Sequence, residues 1–219
     1  VPMSEPSITD PPSRPVRGAG SRSWLKRAAI ALGIVAVVFG GFLGIGRFVW
    51  FPWKYPYGWS HSCDKVLHLS LINYADAHGG WFPSGEATPE ASLSLLARPP
   101  YNTDAEILRG KIVPKEVVEG ILSRGELLGP ETCGWHYVEG LRNDDDPRLA
   151  VFWDKVGLGH NGERLPDGGH VVTRIGRPHD HIPASAWPQF LDEQQRLLAD
   201  LDEWRAKKRK ENQEQENPE

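Results

Sequence analysis

Residues 28–46, AAIALGIVAVVFGGFLGIG, decide how the chain is read: nineteen positions without a charged side chain, Asn or Gln, set between Lys26-Arg27 and Arg47. An α-helix rises about 1.5 Å per residue, so the stretch spans roughly 28 Å, close to the ~30 Å hydrocarbon core of a bilayer. It is expected to cross a membrane once. A cleavable signal peptide has an apolar core of about 7 to 15 residues before a small-residue site, whereas Arg47-Phe48-Val49-Trp50 follows here. Seven aromatic residues from Phe48 to Trp59 suit the headgroup layer, where a ring meets both tails and water. Within the span Ala36, Gly40 and Gly44 recur every four residues, a small-residue stripe that lets a second helix approach closely, from a copy of this chain or another envelope protein. Glycine is also frequent in membrane helices at large.

Charge gives an orientation. Arg14, Arg17, Arg22, Lys26 and Arg27 precede the span, against Arg47, Lys54 and Lys65 after it, so the positive-inside rule places the N-terminus in the cytoplasm. Residues 1–47 carry a net charge of +4 and residues 48–219 a net charge of −8. An acidic exported part lacks the basic footprint that nucleic acid requires. Residues 1–23, with five prolines among Ser, Gly and Arg, read as a disordered cytoplasmic tail, and residues 24–51 as the membrane helix and its flank. Residues 60–206 are enough for one modest exported domain, and residues 207–219 read as a disordered polar tail.

Pro52 and Pro56 are expected to break the helix as it leaves the bilayer. Beyond them, Cys63, Leu67, Leu71 and Tyr74 recur at helical spacing after Ser60 and Ser62, and Gly79-Gly80 ends the run. Shorter amphipathic runs follow at residues 89–97 and 114–124. Past Cys133 the period falls to two: residues 133–140 (CGWHYVEG), 149–155 (LAVFWDK) and 169–175 (GHVVTRI) read as short strands of an antiparallel meander. Trp187, Phe190, Leu191, Gln194, Leu197, Leu198, Leu201 and Trp204 keep one helical stripe over residues 185–207. The expected fold is α+β, with helices packed on a three- or four-stranded antiparallel sheet.

Two cysteines, Cys63 and Cys133, lie on the side expected to be oxidising, where a disulfide between them is expected; the alternative is two buried thiols. Asp154, His160, Asp167 and His170 carry imidazole and carboxylate groups that would converge near the last hairpin and take a divalent cation, the one cofactor these residues suggest. The alternative is that Asp167-Gly168-Gly169 forms a tight turn with His170 packed beside it. Asp144-Asp145-Asp146 offers oxygen ligands for calcium or a solvated turn, and His179-Asp180-His181 offers two imidazoles on one side of a strand or a loop between prolines. Cys63 with His136 as base is the one nucleophile pairing to consider. Gly-x-Ser-x-Gly, His-Glu-x-x-His, Cys-x-x-Cys and phosphate-binding glycine loops do not occur, and the chain is not expected to be an enzyme.

Residues 69–84, LSLINYADAHGGWFPS, followed later by Pro166-Asp167-Gly168-Gly169-His170-Val171-Val172, resemble the pseudopilin-like proteins of bacteria, related to the major pseudopilin of type II secretion. Tyr74, His78, Gly79, Gly80, Phe82 and Pro83 match that family's helix-end signature; Asp167, Gly168, His170 and Val171 match its late hairpin, with one extra glycine. The prepilin cleavage motif and the acid just inside the apolar segment do not occur here. The resemblance implies a single-pass protein of the bacterial inner membrane with a periplasmic domain, serving as a structural or assembly component that binds other envelope proteins. The alternative function is an exported domain that binds a metal or an envelope ligand.

Overall fold

In the computed structural model, which describes residues 20–177 and 179–216, the apolar stretch is helical throughout. Helix α1 covers Gly20–Ile45, a π-helical turn covers Gly46–Trp50, and α2 covers Phe51–Lys54. The helix does not break at Pro52, where a break was expected, but passes it and ends at Lys54, ahead of Pro56. The Pro52 ring would crowd the carbonyl four residues back, at Phe48, and the wider π turn lies there. The stretch from Trp24 to Lys54 is long and apolar enough to cross a membrane. Leu32, Val37 and Phe42 are at least 70% exposed. Most of the expected N-terminal tail, residues 1–19, lies outside the described residues.

The chain forms two compact units, Val1–Val49 and Trp50–Glu219. The second begins with α2, whose end is held by Arg164: the Arg164 N–H donates to Lys54 O and its Nε to Trp53 O, both at 2.8 Å. Helix α3 (Asp64–Ala77) buries Leu67, Leu71 and Ala75 along one stripe. Its end is built by the glycines of the HGG motif. Gly79 and Gly80 take φ of +62° and +90°, and the Gly80 N–H reaches back to Ala75 O at 2.8 Å. Three shorter helices follow: α4 (Pro89–Leu93), with Thr88 capping the Ala91 N–H, α5 (Ala105–Leu108), capped by Asp104, and α6 (Lys115–Ser123). A single turn such as α5 is too short to register as a period in the sequence.

The sheet is an antiparallel meander in the order β1 (Trp135–Tyr137), β2 (Ala150–Asp154), β3 (His170–Arg174), β4 (Asp180–Ile182). The fold is α+β with four strands, within the expected range. Strand β4 falls where a loop between prolines was expected, and corrects that reading; it pairs His170 with Ile182 and Val172 with Asp180. Every residue of β2 is buried, because both faces of the sheet are covered. One side holds the main core, with Trp135, Tyr137 and Phe152 against Leu67, Leu71 and Leu108. The other holds Ala150, Trp153 and Val172 against Phe190 of α7 (Trp187–Ala199). The β2–β3 register shifts between Ala150 and Phe152, and the Ala150 N–H donates instead to Gln194 Oε1 at 2.7 Å. Gln194 Nε2 donates to Arg148 O, so one buried amide latches α7 to the sheet.

The expected helix over 185–207 is two helices. It breaks at Asp200, and α8 (Leu201–Glu216) carries the helix past Lys207 into the segment expected to be a disordered tail. Phe190 serves the outer core, while Leu197 and, past the break, Leu201 pack on the main one. Lys208 keeps the extension in place by bonding to Asp144 O.

The loop after α5 crosses the start of β1 at close range. Gly110 has φ +68°, and a Cβ there would sit 2.7 Å from Gly134 Cα. Gly110→Ala therefore combines a left-handed backbone with a backbone clash, and it is expected to lower stability by about 1–3 kcal/mol or more. Urea unfolding followed by tryptophan fluorescence measures the change.

Candidate functional site

The four side chains proposed for a cation are engaged separately. Asp154 ends β2 fully buried, and its Oδ2 accepts from Lys111 Nζ. His170 opens β3 and stacks on Trp187, with ring centroids 3.8 Å apart and planes 11° apart. Asp167 Oδ1 accepts from the Gly169 N–H at 3.2 Å, closing the tight turn, and lies 3.4 Å from His181 Nε2. His160 is exposed in the turn between Leu158 and Arg164. Among the described residues no three His, Cys, Asp or Glu side chains gather where they would hold a metal ion. The Asp167-Gly168-Gly169 turn with His170 packed beside it is the arrangement that formed.

The His179-Asp180-His181 pair of imidazoles diverges for a backbone reason. His179 has φ +65°, outside the extended region, so the alternation that would align it with His181 is broken. His179 Nδ1 lies 3.7 Å from Asp64, His181 lies against Asp167, and Asp180 accepts from Arg174 at 3.0 Å. The acidic turn is neutralised one residue at a time: Asp144 by Arg142 and Lys208, Asp145 by a two-pronged Arg205, Asp146 by Arg148. These neighbours hold the Asp144 and Asp146 carboxyls below their ordinary range. Arg142 and Arg205 also lie over the ring of Trp81, each 5.1 Å from it.

Cys63 and Cys133 are both free, which corrects the expected disulfide. Cys63 stands at the N-cap of α3, half-buried. Cys133 is buried under Leu108 and Trp135, and burial pushes its thiol up to about 12. His136, considered as a base for Cys63, instead lies on the outer face of β1 stacked over Trp153 at 4.2 Å. Together with Lys155, His170, Trp187 and Leu198 these rings line an open groove of about 730 Å³ between sheet and α7. Lys155 is tied to Glu90 at 2.7 Å.

The most unusual chemistry lies where no motif pointed. Lys111 is 0% exposed; its ammonium donates to Asp64 Oδ1 at 2.8 Å and to Asp154 Oδ2, and lies 5.0 Å from the Trp135 ring. Burial opposes its charge, yet the two carboxylates outweigh burial and hold its pKa above the ordinary lysine value. One cation facing two carboxylates is short of neutrality by one proton. Burial accordingly raises Asp154 from 3.8 to about 7, Lys111 pulling the other way. Asp154 Oδ1 is buried with no hydrogen-bond partner among the described residues. His68, one turn along α3 from Asp64, and His179 complete the surroundings; burial lowers both imidazole pKa values. The one sequence signal for this cluster was an acid at the end of an otherwise apolar strand, Asp154 in LAVFWDK. Lys111 in RGKIVP looked like any surface lysine.

Comparison with models of protein families, with curated proteins and with solved structures returned no match.

Two outcomes follow from this geometry. In the folded chain a thiol reagent is expected to label Cys63 without prior reduction, and to reach Cys133 only after denaturation, as read by mass spectrometry. Lys111→Met leaves two dry carboxylates without their cation and is expected to lower stability by about 3–5 kcal/mol at pH 8. Lys111 pulls the Asp154 pKa below where burial alone would put it, so the variant's folded form takes up that proton at a higher pH than the parent's, which gains it as the pH falls through about 7. The deficit of the variant should therefore shrink between pH 8 and pH 5 in urea titrations.

Proposed function

We propose that this chain is a single-pass, pseudopilin-like structural or assembly component of the bacterial cell envelope. Its N-terminus lies in the cytoplasm, its domain in the periplasm, and it works by binding other proteins. The observation that carries the reading is the 31-residue helical stretch from Trp24 to Lys54, apolar and with its most hydrophobic window unburied, leading into a small α+β domain. Apolar helical surface of this length is stable in lipid and not in water. The basic residues ahead of the span and the aromatic belt after it support the orientation. The HGGWFP segment and the Asp167-Gly168 turn support the family reading, since each builds a specific backbone stop, at the end of α3 and at the start of β3. Ala36, Gly40 and Gly44 are the contact stripe through which a second single-pass helix would dock.

Expression of the full chain in a bacterium tests this directly. The protein is expected in the inner-membrane fraction, resistant to carbonate extraction, with its C-terminal domain digested by trypsin in spheroplasts. Crosslinking in membranes should trap a second copy or another single-pass protein, and Gly40→Leu with Gly44→Leu should reduce that product several-fold. A soluble full-length chain, or a domain that trypsin spares until the membrane is opened, would overturn the reading; so would a shortened chain cut after the apolar stretch.

A further inference from the structure

We propose that Lys111 and Asp154 become joined by an intramolecular amide bond between Lys111 Nζ and Asp154 Cγ, with Asp64 as the catalytic carboxylate. The inference stands on the geometry of the domain and does not require the anchor to be right.

Three features bring the reaction within reach. Lys111 Nζ is hydrogen-bonded to Asp154 Oδ2, which places the nitrogen against the carbon to which that oxygen is attached. Holding two reacting groups in contact replaces a bimolecular encounter, and effective molarities for well-oriented pairs reach ~10⁵ M and above. Asp64 Oδ1 touches the same nitrogen at 2.8 Å, so a second carboxylate sits where a proton must be moved. All three groups are buried, and the Trp135 ring lies 5.0 Å from the ammonium. Water, which would hydrate the ammonium and reverse the condensation, is kept out.

The atoms balance without any other reactant. Lys111 passes one proton to Asp154, leaving a neutral amine beside a neutral carboxylic acid. The nitrogen lone pair attacks Cγ and the Nζ–Cγ bond forms. Asp64 takes a proton from the nitrogen and returns it to the hydroxyl on Cγ, whose C–O bond breaks as water leaves. One ammonium and one carboxylate are consumed, one amide and one water are produced, nothing is oxidised or reduced, and Asp64 ends as it began. Burial favours the neutral acid on Asp154, whose Oδ1 has no partner among the described residues, while the two carboxylates that hold Lys111 protonated oppose the transfer, so the neutral pair is the minor species through which the reaction proceeds. In the product Asp64 is the one carboxylate left in the cluster, with the new amide N–H to donate to it and His179 Nδ1 3.7 Å away.

Among the described residues no other lysine is buried. The remaining lysine–carboxylate pairs are more open, from Lys155–Glu90, where the lysine side chain is 24% exposed, to Lys207–Glu211, where it is 77% exposed, and their ammonium groups keep water. The bond would tie residues 43 apart in the chain, connecting the loop after α5 to the central strand.

Mass spectrometry of the full-length chain purified in detergent decides the matter. The expected result is a mass lower by one water than the sequence requires, and a tryptic digest containing one branched peptide in which Lys111 is uncleaved and joined to Asp154. Asp154→Ala should restore the full mass. Asp64→Asn, which preserves shape, should also leave the full mass while near-ultraviolet circular dichroism shows the tryptophans packed as in the parent. A parent protein at full mass that shows the same packing overturns the proposal. So does a missing water that maps to Asp167-Gly168, where an Asp-Gly pair can lose water through its own backbone.

Discussion

An ammonium group taken out of water must find acceptors at once, and that requirement organises this domain. Lys111 finds two carboxylates and the face of an indole, each from a different element: Asp64 from the start of α3, Asp154 from the end of β2, Trp135 from β1. Neither carboxylate can shift without weakening the pairing of a charge held in a dry place, at a penalty of several kcal/mol. The supporting details serve the same end. Gly110 and Gly134 let the loop press against the sheet, and the Trp135 indole N–H is tied to Ile107 O at 2.8 Å.

The same logic of local neutralisation explains what looked like ligand chemistry. A run of three aspartates suggests a cation site until its neighbours are seen: a guanidinium stands against each, supplied by residues 142, 148 and 205. His170, which suggested a metal, and His136, which suggested a catalytic base, are spent on ring stacking, over Trp187 and Trp153. Histidine here behaves mainly as a flat, partly buried aromatic, with its charge suppressed where burial is greatest.

The elements that were legible in the sequence are those with a long enough period. The stripe from Leu67 to Tyr74 forecast α3, and the alternation in residues 149–155 forecast β2; both formed within two residues of expectation. What escaped was set by tertiary contact. Strand β4 is three residues long and exists because β3 offers it a ladder. Helix α8 outruns its apolar stripe because Arg205 and Lys208 are held by the acidic turn. Of the candidate site, the turn at Asp167 was readable from Asp-Gly-Gly, but the partners of Asp154 were not. Lys111 and Asp64 are 47 residues apart, and no local pattern announces that a lysine will be buried. The cysteines misled for the opposite reason: two thiols in one chain say nothing about whether their Cα atoms come within bonding range.

Strand β4 carries a last implication for how such molecules would crowd together. It ends at Ile182, with Pro183 immediately after it and the charged Asp180 at its head, so the rim of the sheet presents a stub with few free hydrogen-bonding groups. A neighbouring chain has almost no template there on which to extend the ladder. Copies concentrated on one surface would find little purchase along this rim for fusing into a continuous β-structure.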